Sequence, residues 1–68
     1  MGKYMNDEDM RRFKMYMADA GCTITSLAKR VDMGREVLST RVNGKTDFSR
    51  SEMIKIASVL GERPEKIF

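Results

Sequence analysis

Four breaks at short intervals govern what this chain can become: Gly21, the triplet Asp32-Met33-Gly34, Gly44 and Gly61. Between them apolar residues recur three or four apart, as on one side of a helix, and no stretch alternates apolar and polar as a half-buried strand does. Asn6 or Asp7 can cap a first helix whose opening turn, Asp7-Glu8-Asp9, is acidic and suits the positive end of the helix dipole. Met10, Phe13, Met17 and Ala20 form its apolar side, and Gly21 ends it. Thr23 can cap a short second helix with Ile24, Leu27, Ala28 and Val31 inward. A third helix places Leu38 and Val42 on one side and stops at Gly44, and Phe48 is the expected anchor of the loop that follows. Ser49 and Glu52 have capping-box spacing and open a fourth helix with Met53, Ile56, Ala57 and Leu60 on one face. Pro64 suits the first turn of a last short helix running into Ile67 and Phe68. The expected fold is an all-α, compact five-helix bundle with helices at about 7–20, 24–31, 35–43, 50–60 and 64–68. One domain over residues 6–68 is expected, with residues 1–5 as a loose N-terminal arm or an appended leader.

Composition narrows the function classes. At 68 residues the chain makes one domain and has no room for a cleft between two lobes. It has no His, so the commonest general base and metal ligand is missing, and Ser-His or Cys-His nucleophile pairs are excluded. A single Cys excludes an internal disulfide and a Cys-only zinc site; Cys22 reads as a small buried hydrophobe. Asp7 and Asp9 are two apart on a helix and point in different directions, which makes a poor acid/base pair. Met10, Met17, Met33 and Met53 read as core filler. An enzyme is not expected, nor a cofactor, a metal site or a small-molecule substrate. No apolar run approaches the ~20 residues that span a bilayer, so no membrane partner is expected.

The location of the charge is more informative than its size. Residues 1–22 and 51–68 each balance to zero. The whole net charge of +3 lies in residues 23–50, where Lys29, Arg30, Arg35, Arg41, Lys45 and Arg50 face Asp32, Glu36 and Asp47. The same segment holds two short helices separated by a three-residue break, the helix-turn-helix arrangement in which the second helix enters the major groove of DNA. With Leu38 and Val42 inward, Glu36, Thr40 and Asn43 fall on the opposite side at about 100° per residue, with Ser39 on the flank. Arg35 sits in the first turn, where a long side chain reaches past the helix tip. That small polar face offers what base edges require, with Arg for guanine O6/N7, Glu for cytosine N4, and Ser or Thr for several groups.

These residues resemble a known family. Leu27-Ala28, Val31, Met33, Arg35-Glu36-Val37-Leu38-Ser39 and Asn43-Gly44-Lys45 are similar to the lambda-repressor-like, or Cro/C1-type (XRE), helix-turn-helix domain. Glu52-Met53-Ile54-Lys55-Ile56-Ala57, Leu60-Gly61 and the Pro64-led turn are similar to that family's fourth and fifth helices. In style the chain is closest to small repressors of temperate phages and prophages. The resemblance implies base contacts by Arg35, Glu36, Ser39 and Thr40, phosphate contacts by Thr23, Thr25, Asn43 and Lys45, and a minor-groove approach by Arg50. Three positions depart from the family pattern: Asp32 where Gly is usual, Gly34 where Ser or Thr is usual, and Arg41 where an apolar residue is common. Asp32 is expected to take the left-handed conformation, which Asp tolerates better than most residues.

The function expected is a sequence-specific DNA-binding transcriptional regulator, a repressor by style, acting as a homodimer on a two-fold-related double-stranded operator. Its compartment would be the cytoplasm of a bacterial or phage-infected cell, at the nucleoid. The dimer contact is expected from the last two helices through Ile54, Val59, Ile67 or Phe68, and removing residues 62–68 is expected to weaken operator binding far more than it unfolds the domain. The alternative is a protein-binding helix-turn-helix module, such as an antirepressor, with acidic Glu36 turned to a protein partner.

Overall fold

The computed structural model describes residues 2–68. Its elements are α1 (Asp7–Asp19), α2 (Ile24–Arg30), α3 (Arg35–Val42), α4 (Arg50–Leu60) and α5 (Pro64–Ile67), with no strand among the described residues. Three of the helices open on reciprocal caps. Asn6 and Asp9, Thr23 and Ser26, and Ser49 and Glu52 each exchange side-chain and backbone hydrogen bonds across three residues. Only the last pair was visible from its spacing as Ser followed by Glu; Asp and Ser do the same work at the other two sites. No helix among the described residues is long and apolar enough to cross a membrane.

α2 packs chiefly on α3 and also meets α4, while α5 closes the bundle against α1 and α4. Phe13, Leu27, Leu38, Phe48, Ile56 and Ile67 are fully enclosed, one from each helix plus the loop anchor Phe48. Phe13, Phe48 and Phe68 pack as a triad, with ring centroids 5.1–6.1 Å apart. Met17 is buried, and Met10, Met33 and Met53 are half-buried against the core. Ala20, expected inward, is exposed, because α1 stops at Asp19.

Residues 3–5 are not the loose arm expected. Lys3 and Phe48 exchange backbone hydrogen bonds, each 2.8 Å long, as an isolated antiparallel bridge. Met5 is buried in the core. The Lys3 ammonium lies 3.4 Å from the carboxylate of Asp9, a buried charge that also binds Arg12. Arg12 in turn donates to the carbonyl of Ile67 in α5. Burial alone would raise the Asp9 pKa. The Asn6 N–H and the charges of Lys3 and Arg12 outweigh that and hold it below the usual carboxylate range. Alternation and helical periodicity could not reveal this strap, since two paired residues are too few to carry either signal.

Candidate nucleic-acid interface

The break between α2 and α3 is fixed by its backbone. α2 ends at Arg30 with Val31 as its C-cap; Asp32 takes φ 57°, the left-handed conformation expected of it, and the Met33 N–H donates to the Ala28 carbonyl at 2.9 Å. Gly34, extended at φ −65°, then starts α3 without a side-chain cap. Leu27, Ala28, Val31, Leu38 and Val42 are all buried, and Ala28 has no bulk to hold the two helices apart.

Burial of both Leu38 and Val42 sets the rotation of α3 and so decides what it shows. Arg35 and Glu36 are exposed at its first turn, and Ser39 and Thr40 are half-buried one turn on. The Thr40 hydroxyl donates to the Val37 carbonyl at 2.8 Å and lies 3.3 Å from the Thr46 hydroxyl. Its proton is committed inside the helix, so toward a base edge it is left as an acceptor beside a methyl group. Arg41 faces inward to α4, where its Nε donates to Glu52 Oε1 at 3.0 Å. The same oxygen accepts the Ser49 N–H at 2.8 Å. Burial pushes the Glu52 pKa up, but the Ser49 N–H and the Arg41 guanidinium more than offset it and leave it lowered. An Arg at a position that is commonly apolar in the resembling family is therefore accounted for by a carboxylate on the next helix.

The expected phosphate-binding groups lie at the ends of the elements that flank α3 in the chain. Thr23 and Thr25 stand exposed at the start of α2, although the Thr23 hydroxyl is already engaged as a cap for the Ser26 N–H. Asn43 is exposed at the C-terminal end of α3, with its amide 3.4 Å from the Ser39 hydroxyl. Lys45 is exposed in the loop, and Arg50 is exposed as the first residue of α4. Gly44, at φ 77°, passes directly beneath the Met5 carbonyl, so the N-terminal strap fixes the backbone that carries Asn43 and Lys45. With Arg41 neutralised by Glu52, five exposed cations in residues 23–50 (Lys29, Arg30, Arg35, Lys45 and Arg50) stand against the exposed carboxylates Asp32, Glu36 and Asp47. The basic excess is thus displayed on the segment that carries α2, α3 and the loop after them.

The residues expected at a dimer contact divide. Ile54 is 50% exposed, and Val59 and Phe68 are half-buried. Ile54 separates two shallow grooves, one bordered by Met53, Pro64 and Phe68 and the other by Val31 and Val59. Ile67 is fully buried and offers no surface to a partner, because the single turn of α5 points it into the core of its own chain. Nor does the expected effect of removing residues 62–68 survive. That cut would take Ile67 out of the core and Phe68 out of the aromatic triad, so it is expected to destabilise the domain itself.

Sequence reasoning missed the strap, the Asp9 cluster, the Arg41–Glu52 pair and the exposure of Val37, which is 44% accessible on α3. Of these, only the i,i+3 spacing of Asp9 and Arg12 leaves a signal in the sequence.

A family model described as "Cro/C1-type HTH DNA-binding domain" matches residues 12–68. Among solved structures, the chain is similar to the restriction-modification controller protein C.AhdI from Aeromonas hydrophila. The TM-score is 0.80 at 20% sequence identity, covering 90% of this chain and 92% of the other. At that identity the likeness is one of fold. No curated protein sequence matches the chain.

Proposed function

The chain belongs to the Cro/C1-type helix-turn-helix DNA-binding domain family, and from that premise we propose that it is a sequence-specific transcriptional regulator which binds a two-fold-related operator as a homodimer. The observation that carries this reading is the face of α3. Arg35 and Glu36 stand free at its N-terminal turn, Ser39 follows one turn on, and Lys45 and Arg50 flank it as exposed cations. Base edges in the major groove are read by such donors and acceptors, while phosphates are met by the surrounding cations, hydroxyls and amides.

Size supports two copies. The longest extent of the Cα frame is 25 Å, whereas successive major grooves on one face of DNA are about 34 Å apart. One chain therefore presents one short reading helix to one groove, and a second copy is needed to reach the next. The apolar surface around Ile54, with Val59 and Phe68 beside it, is the contact proposed for that second copy. Regulation by occupying a promoter needs no catalysis; repression is its simplest outcome.

Affinity for duplex DNA, measured across salt concentrations and joined to footprinting, tests the reading. A steep linear fall of log affinity with log salt and a protected two-fold-related site are expected. Salt-insensitive binding with no protected site would instead favour the rival, a module whose α3 face meets a protein.

A further inference from the structure

Val37 stands out on a polar helix face. It is the one large exposed hydrophobic of α3 among the described residues, 44% accessible, while Leu38 and Val42 do the packing. Two further observations bear on it. Gly34 supplies no side chain at the tip of α3, and a Cβ there would meet the Val37 methyl at 3.6 Å, in ordinary contact. Glycine there leaves that methyl without this neighbour. In addition, Thr40 lies three residues on, on the same side of the helix, with its hydroxyl turned back to the Val37 carbonyl. The remaining group of Thr40 is a methyl. Around the helix, exposed Val37 and half-buried Thr40 are thus neighbours next to Glu36, on the side away from Arg35 and Ser39.

We infer that Val37, with the methyl of Thr40, reads the 5-methyl group of a thymine in the operator half-site. The inference rests on the DNA-binding reading above. In the major groove thymine differs from cytosine by that methyl as well as by its O4 acceptor, and apolar side chains are the groups that detect it. Contact removes both the valine and the thymine methyl from water, which gives α3 a preference at a base pair where Arg35 and Glu36 have no hydrogen bond to make.

The test uses the whole chain and a duplex recovered as its preferred site. Each thymine is replaced in turn, symmetrically in both half-sites, by uracil, which lacks only the methyl. At one position uracil should weaken binding roughly fourfold per half-site. In Val37→Ala and Val37→Ser, both at an exposed site, that penalty should shrink, most in Val37→Ser, while the folded state persists. Arg35→Ala should bind more weakly yet keep the penalty. If no thymine-to-uracil change separates wild type from Val37→Ala on a specifically bound duplex, the inference is wrong and the DNA-binding reading stands. If wild type selects no duplex at all, both fail, and loss of a protein partner in Val37→Ala would assign the valine to a protein contact.

Discussion

Gly44→Ala probes the joint between the N-terminal strap and the loop after α3 that is proposed to face DNA, and a second glycine supplies its control. Gly44 and Gly61 have nearly the same backbone, φ 77° and 72°. An alanine in the left-handed region costs roughly 1–2 kcal/mol at either site. The surroundings differ. A Cβ at Gly61 meets nothing within 4 Å, whereas one at Gly44 runs into the Met5 carbonyl oxygen, which is backbone and cannot swing aside. Relief requires residues 3–5 to move. That puts at risk the two Lys3–Phe48 hydrogen bonds, worth about 1 kcal/mol each, and the burial of Met5, worth about 2 kcal/mol. Gly44→Ala should therefore cost at least about 2 kcal/mol more than Gly61→Ala, or roughly 10 °C in Tm for a domain of this size. Urea unfolding at low temperature, where both variants are folded, gives the comparison. Repeating it in chains starting at Asn6 closes a double-mutant cycle, in which the excess penalty should vanish. Binding adds a functional arm, because the displaced loop carries Asn43 and Lys45: Gly44→Ala should lose DNA affinity and Gly61→Ala should not. Equal penalties for the two variants, or an excess that persists without the strap, would refute the reasoning.

Arg35→Ala should relax preference at one base position by about 1–3 kcal/mol, whereas Lys45→Ala should weaken all duplexes alike and lower the salt slope by about one; sites selected by each variant tell the two apart. Ile54→Glu, at a half-exposed position, should leave the thermal transition nearly in place but shift sedimentation toward monomer and weaken operator binding; an unchanged oligomeric state would remove Ile54 from the contact. Asp9→Asn should cost about 1–3 kcal/mol at neutral pH. The folded-state pKa of Asp9 lies below its unfolded value, so the carboxylate stabilises the fold above the unfolded value and loses that effect as pH falls through the folded one. Acid titration of stability should then show wild type and Asp9→Asn converging below about pH 4, and a constant gap would contradict the ion cluster.

Helix positions were legible because caps and glycines mark ends locally, and apolar spacing marks the inward side. Phe48 was readable as an anchor for the same reason, a lone large apolar residue in a polar loop. The orientation of α3 was also legible, since Leu38 and Val42 fix it. What escaped was tertiary in origin. Lys3 and Asp9 look like ordinary surface charges until the strap brings one onto the other. Arg41 looks misplaced until Glu52 is found 3.0 Å away on the next helix. Ile67 and Phe68 are adjacent apolar residues at the chain's last turn, and only packing shows that the first is fully enclosed and the second half-covered within the aromatic triad. Thr40 was expected to read bases through a hydroxyl that the helix itself occupies, a competition that short polar side chains often enter. The exposure of Val37 follows from the rotation that Leu38 and Val42 impose on α3, but an apolar residue type gave no reason to look for it on the open side.

Selection of bound duplexes from random DNA addresses the central claim most directly. The account predicts an enriched site with two related half-sites, their centres about one helical turn apart, whose preferences change at one position in Arg35→Ala. Absence of enrichment, or a site without two-fold symmetry that Arg35→Ala leaves unaltered, would contradict it.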